Sequence, residues 1–363
     1  MDELFTGEQE RASTETAKCP SCGADLVYDP GTRGLKCPYC GTEEEIAGNK
    51  CSEIDLDKLF TARANTWASE TKAFRCENCG AQTIISKNEI SKCCAYCGAS
   101  NIIETEGMSG MRPDAVLPFT LTKEDAGKSA TTWAKKRFFA PRKFKQSLTM
   151  PESINGNYTP SFTFDANAHG RYNGRLGKYY YETKIVNGKK QQVRKIRYFE
   201  ISGVYDTFID DVLVQASDKI SQKDLNKIQP FDTNSSQKYS PNYLYGFSAT
   251  QYTRDGRTCW EAAKDIMWSR VKSQILAKYT YDVVDRFNLT VRYDNVTYKY
   301  VLLPLYIGHF SFKEKLYNFF VNGRNGKTTG KVPISPLKVA LVVLAGLAVI
   351  AGIVAIYLYG GNP

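Results

Sequence analysis

The sequence predicts a multidomain chain. Two small β modules, each organised by four cysteines, precede an α+β domain with an antiparallel sheet and one C-terminal transmembrane helix. Three observations carry this reading. Ten of the eleven cysteines fall within residues 19–97 of the 363. The 23 Tyr and 18 Phe favour strands over a helical bundle. Finally, "VALVVLAGLAVIAGIVAIYL", Val339 to Leu358, runs twenty residues without a charge, the length that crosses ~30 Å of hydrocarbon.

The cysteines come first. Cys19-x2-Cys22-x14-Cys37-x2-Cys40 is repeated, 57 positions later, as Cys76-x2-Cys79-x14-Cys94-x2-Cys97. A Cys-x2-Cys turn delivers two sulfurs to one metal, and zinc takes four thiolates as a tetrahedron. Gly23, Gly41, Gly80 and Gly98 each follow the second cysteine of a pair, where positive φ lets backbone N–H groups point at sulfur. The text between the pairs, "DLVYDPGTRGLKC" and "QTIISKNEISKCC", reads as strand–turn–strand. Each unit is therefore expected to be a zinc ribbon, a hairpin too small to bury a core and held by metal instead. That gives two Zn2+ per chain. Four-thiolate sites have no open position for water, so they are structural; iron is the chemical alternative for such a ligand set. In "KCCAYC" the register makes Cys94 the ligand and Cys93 a neighbour. Cys51 lies outside both units, and Cys259 is expected to be a buried apolar residue.

Composition then divides the chain. An acidic polar tail, 1–17, is expected to be disordered and carries no secretory signal. Ribbon 1 spans 18–46, a helical spacer 47–74 with Ile54, Leu59 and Ala62 on one face, ribbon 2 75–103 and a linker 104–111. The basic α+β domain covers 112–332 and the membrane helix 337–359. Residues 1–111 carry 11 Lys/Arg against 18 Asp/Glu, a balance of −7, whereas residues 112–363 carry 37 against 20, a balance of +17. Lys313, Lys315, Arg324, Lys327, Lys331 and Lys338 precede the apolar span and only "YGGNP" follows it. Such asymmetry places the large N-terminal part in the cytoplasm, with a single pass through the cell membrane.

Within the basic domain, "TKEDAGKSATTWAKKRFF" reads as a helix with Thr122 and Asp125 as a capping pair, and "TCWEAAKDIMWSRVKSQILAKY" as a second opened by Thr258 and Glu261. "SFTFDANAHGRYNG", "KYYYETKIV", "QQVRKIRYFEISGVY" and "DVLVQAS" read as strands, with a hairpin turn at Asn187-Gly188. Strands return in "FNLTVRYDNVTYKYVLLPLYIGHFSFKEKLYNFFV". The segment "VNGRNGKTTG" after it imitates a phosphate loop, but the first glycine position holds Val321, and Gly330, Pro333 and Pro336 break any helix. It is expected to be a hairpin tip. With two histidines in the chain, His169 and His309, and no dinucleotide fingerprint, no catalytic residue is assigned.

Charge also bears on partners. Phosphate-contacting surfaces need Lys/Arg, so the acidic head suits a protein partner, more so as each four-thiolate zinc adds a formal −2. "WAKKRFFAPRKFK", 133–145, combines Lys135, Lys136, Arg137, Arg142, Lys143 and Lys145 with Phe138, Phe139 and Phe144. It suits an anionic lipid surface or, alternatively, a solvated helix face; a nucleic-acid surface on this domain is the third reading.

The paired ribbons, "MRPDAVLPFTLTKEDA", "FIDDVLVQASDK" and "VNGRNGKTTGKVP" before an apolar tail together resemble bacterial tail-anchored zinc-ribbon membrane proteins. These are often labelled transcription-factor-IIB-type zinc-ribbon proteins or compared with the primosomal helicase PriA. The resemblance covers nearly the whole chain, and only the eight ribbon cysteines carry over as functional positions. It implies a membrane anchor in an envelope-stress module, working with another membrane protein, an SPFH-type scaffold and phage shock protein A; with no enzyme signature in the sequence, the chain reads as a non-enzymatic adaptor. The PriA label implies the alternative, a membrane-tethered nucleic-acid binder in replication or transcription.

Overall fold

A computed structural model of the chain describes residues 17–61, 67–69, 71–86, 93–105, 110–147, 154–186, 189–312 and 315–359. The expected disordered tail, save Ala17, lies outside them, as do Ala62, Lys313 and the Asn187-Gly188 turn. At the N-terminal end Val27–Asp29 (β1), Gly34–Lys36 (β2) and Glu43–Glu44 (β3) form a separate antiparallel sheet in that order. The Asp29 carboxylate caps its turn, accepting from Gly31 N and Thr32 N at 3.3 Å each.

Within the expected helical spacer, Ile54–Asp55 is a strand (β4), pairing with Thr297 and Tyr298, Leu56–Thr61 (α1) is an α-helix, and Trp67–Ser69 is one turn of 3-10 helix. Asp55 turns the chain there by accepting from Asp57 N at 2.8 Å, a local bond that competes with continuing a helix through it. Thr71–Cys76 (β5), Gln82–Ser86 (β6) and Ile102–Thr105 (β7) follow, with β5 between the other two.

The remaining strands are Ala115–Val116 (β8), Ile154–Val186 (β9), Lys189–Gln215 (β10), Gln237–Lys238 (β11), Ser248–Thr250 (β12), Val283–Phe312 (β13), Lys315–Asn322 (β14) and Thr328–Gly330 (β15). They join β5–β7 in one sheet, ordered β11-β8-β13-β9-β12-β6-β5-β7, with β10 on β9, β14 on β13, β15 on β14 and β4 on β13. The antiparallel sheet expected for this domain is therefore mixed: β12 runs parallel to β9, and β8 parallel to β13. The four strands read from 161 to 217 are two very long ones, with Lys189 opposite Val186 and a bulge between Ile209 and Val212. β13 meets β9 only from Gly177 towards the N-terminus of β9, so residues 178–186 and 189–197 project as a two-stranded arm.

Helices cover parts of this sheet. Lys123–Lys135 (α2) is N-capped by Thr122, which accepts from Asp125 N at 3.2 Å. It buries Ala126, Ala130 and Ala134, at i+4 spacing, beside Phe119 and Tyr158. Arg142–Ser147 (α3) and Gln222–Ile228 (α4) are short. Gly256–Leu276 (α5) starts earlier than the sequence suggests: Asp255, not Thr258, is the N-cap, and it accepts from Thr258 N at 2.8 Å. Its stripe Cys259, Ala263, Met267, Val271 and Ile275 packs against Phe162, Phe164, Ala166, Ala168, Tyr172 and Leu176, which alternate along one face of β9. Pro336–Tyr359 (α6) holds an exposed window, Pro336–Ala355, long and apolar enough to cross a membrane.

Candidate metal centres

Each Cys-x2-Cys-Gly unit folds into the same turn. In all four, the N–H of the first cysteine donates to a carbonyl five residues on (Ala24, Thr42, Ala81, Ala99), and the glycine N–H donates back to that cysteine's carbonyl, at 2.8–3.0 Å. Gly23, Gly41, Gly80 and Gly98 sit at φ +74°, +76°, +66° and +71°, where a Cβ would crowd the following carbonyl. Two such turns face each other in each ribbon. β1 and β2 bring Cys19 and Cys22 up to Cys37 and Cys40. β5 and β6 flank the turn that carries Cys76 and Cys79, and the second turn offers Cys94 and Cys97.

Within each foursome, all sulfurs lie within 4.8 Å of one another. The distances are 3.3 Å for Cys19–Cys40, 3.5 Å for Cys22–Cys37, and 3.6 Å for both Cys76–Cys97 and Cys79–Cys94. A disulfide needs about 2.0 Å; a four-thiolate zinc with ~2.3 Å bonds has tetrahedral edges of roughly 3.8 Å. The spacing fits the second. Cys94 belongs to its group and Cys93 does not. The Thr42 hydroxyl, 3.1 Å from Cys40, leads the contacts that lower that thiol to about 6, favouring the thiolate a metal needs. Burial pushes Cys94 the other way, so its deprotonation is left to the ion.

The two foursomes differ in their surroundings. In ribbon 1 Cys22 and Cys40 are exposed, and the module rests on the body through Tyr28. That phenol donates to Phe119 O at 2.9 Å, and Tyr28 N donates to Tyr245 O at 3.0 Å. In ribbon 2, β6 pairs with β12, and Lys219 Nζ donates to Cys79 O at 3.1 Å. The two tyrosines at the same repeat position diverge most. Tyr39 is 83% exposed, whereas Tyr96 is 3% exposed with its hydroxyl 2.7 Å from Thr250 Oγ1. The cysteine spacing gave no hint of this, because the difference lies in what each knuckle meets.

The other candidates resolve differently. Cys51 is half-buried with Sγ 3.6 Å from Asp114 O, and Cys259 is buried, its thiol pushed up to about 12 by burial. Asp165, Asp210 and Asp211 gather at the β10 bulge, where Asp165 accepts from Asp211 N at 2.7 Å and so braces a residue at φ +48°. The imitation phosphate loop is the turn between β14 and β15, and Lys327 Nζ donates to Gln229 O at 2.7 Å. In the basic segment Phe144 is buried between Trp133 and Phe310, so it leaves the surface expected of it.

Fold and site together define a chain with two four-cysteine groups at its N-terminus, a mixed, sheet-rich body and one C-terminal apolar helix. It is similar to a protein of Bacillus subtilis (strain 168) described as uncharacterized protein YdjG, 27% identical over 327 residues, which are 89% of this chain and 91% of that one. No family model matches the chain, and no solved structure matches it.

Proposed function

We propose that the chain is a non-enzymatic adaptor, anchored by α6 in the cell membrane with its large N-terminal part in the cytoplasm. Two structural zinc ions, held by Cys19, Cys22, Cys37, Cys40 and by Cys76, Cys79, Cys94, Cys97, stiffen its ribbons, and ribbon 1 docks a cytosolic protein. The contrast between Tyr39 and Tyr96 carries this reading. Ribbon 2 spends its knuckle tyrosine on the body of its own chain. Ribbon 1 has the same knuckle and leaves the ring in water, beside exposed Pro38 and Cys40, and Tyr is enriched where proteins bind proteins. Exposed Glu43, Glu44 and Glu45 in the same module suit a partner with a basic face. By resemblance, that partner is an SPFH-type scaffold or phage shock protein A, with a second membrane protein alongside, in an envelope-stress module.

A second reading, a membrane-tethered nucleic-acid binder, draws on the β9–β10 arm, where residues 178–197 hold seven Lys/Arg and one Glu. Affinity purification from detergent, with and without nuclease, separates the two. Partners that survive nuclease and are lost on Tyr39→Ala support docking through ribbon 1. Partners that vanish with nuclease and ignore Tyr39→Ala sink it.

A further inference from the structure

Between Asp125 and Glu152 the sequence holds no acidic residue and seven Lys/Arg. α2 ends at Lys135, and one of its last carbonyls is used twice: Lys136 N and Arg137 N both donate to Ala134 O. Ala140 N then donates to Arg137 O at 3.1 Å, closing residues 137–140 into a tight turn. Phe138 and Phe139 point outward from it, 64% and 41% exposed, ring edge to ring face with centroids 5.3 Å apart. A core takes Phe144 a few residues later, and these two rings stay outside it. Lys136, Arg137, Arg142 and Lys143, within a few residues of them in the chain, are exposed.

This turn is fastened to the start of the apolar helix. Ser335 N donates to Phe139 O at 2.9 Å. Lys338 Nζ donates to Phe138 O at 3.0 Å and to Ala140 O at 2.6 Å, and lies 5.8 Å from the Phe138 ring centre. Lys338 is the last charge before the twenty uncharged residues. It therefore marks the level at which hydrocarbon would begin, and its ammonium holds the two phenylalanines at that level. Aromatic rings and cations together are the residue types that settle at a headgroup boundary.

We propose that Phe138 and Phe139, flanked in the chain by Lys136, Arg137, Arg142 and Lys143 and clamped by Lys338, form a collar that seats on an anionic bilayer surface at the root of α6. The collar rests on the reading of α6 as a membrane anchor and adds a lipid preference to it. Once seated, it fixes the tilt of the body over the leaflet, because a single helix alone leaves the body free to swivel. Each cation near such a surface adds attraction that salt weakens.

The test uses the full chain reconstituted into phosphatidylcholine vesicles with and without phosphatidylglycerol. One variant carries Phe138→Trp and another Leu347→Trp, and emission is read as the difference from the parent protein. The expected result is that lipids brominated near the headgroup quench the Phe138→Trp emission, more strongly with phosphatidylglycerol present. That added quenching should be lost when Lys136, Arg137, Arg142 and Lys143 are all changed to Gln, while deeply brominated lipids still quench Leu347→Trp. If only Leu347→Trp is quenched, the anchor stands and the collar is overturned. If neither is quenched, the membrane reading itself fails. If inorganic phosphate abolishes the phosphatidylglycerol effect at matched ionic strength, the cations serve a free anion. If the ring is shielded only after cytosolic extract is added, the face belongs to a protein. Either result overturns the proposal.

Discussion

The two ribbons share a spacing, four identical turns and the same sulfur geometry, yet they occupy opposite structural positions. Ribbon 1 is a satellite of the large sheet: it has three strands of its own and joins the body by packing rather than by strand pairing, with Leu26, Tyr28 and Leu35 sharing a core with Phe119, Tyr243 and Tyr245. Ribbon 2 is a wall of the body: its strands continue the large sheet, and Cys76, Cys94, Ala95 and Tyr96 share a core with Leu117, Leu213, Leu225 and Leu303. The metal-binding motif fixes the knuckle and nothing beyond it. Whether a knuckle becomes a head or a wall is decided by long-range partners. A module whose stability is welded to the rest cannot be offered to a binding partner without cost, whereas a satellite can.

Metal loss should break the comparison most visibly. Cys94→Ser should cost one zinc equivalent and several kcal/mol in the main unfolding transition, given the ~10–16 kcal/mol apparent binding energy of structural zinc. Cys40→Ser should cost one equivalent and shift the main transition less, and Cys93→Ser should keep both. Elemental analysis with calorimetry reads all three, and equal destabilisation by Cys94→Ser and Cys40→Ser would erase the satellite–wall distinction.

Truncating the paired tyrosines comes next. Tyr96→Ala empties a fully packed site and should cost about 3–5 kcal/mol, while Tyr39→Ala should stay within ~0.5 kcal/mol, both by denaturant unfolding. The glycines sharpen the picture further. Gly41→Ala meets nothing within 4 Å, so only its positive φ matters, at about 1–2 kcal/mol. Gly98→Ala bears that strain and also brings a Cβ to 2.5 Å from His309 Nε2, so its loss should be the larger of the two. A smaller or equal loss would mean that His309 yields freely. Least of all, Tyr28→Phe and Tyr96→Phe should each lose about 0.5–1.5 kcal/mol, one buried hydrogen bond apiece. Melting temperatures that respond to one and ignore the other would show that a single phenol pins only one ribbon.

The sequence was readable where chemistry is local. Eight cysteines at repeated spacing, the glycines behind them, the β1–β2 hairpin and the Thr122 cap all follow from neighbours a few residues apart. It was opaque where choice is made at a distance. Asp255 and Thr258 each stand three residues before a workable helical donor, and packing of Cys259 into the core favours the earlier start. Ile54 fits a helical face, yet an open edge beside Tyr298 claims it as a strand. β12 is three residues long, too short for any periodicity, and it is the piece that joins ribbon 2 to the sheet. Tyr39 and Tyr96 have near-identical local text, so no local rule could tell the bare ring from the buried one.

The arm formed by the far ends of β9 and β10 has one more consequence. Nine residues per strand beyond Gly177, at ~3.3 Å each, reach roughly 30 Å past the point where the third strand stops. A ribbon of two strands has no slab beneath it and is barely stable in water by itself. Hydrogen exchange should therefore run fastest there and slow sharply at Tyr172 and Leu176, which α5 covers. The molecule thus ends in a boom whose stiffness is borrowed from whatever it leans against.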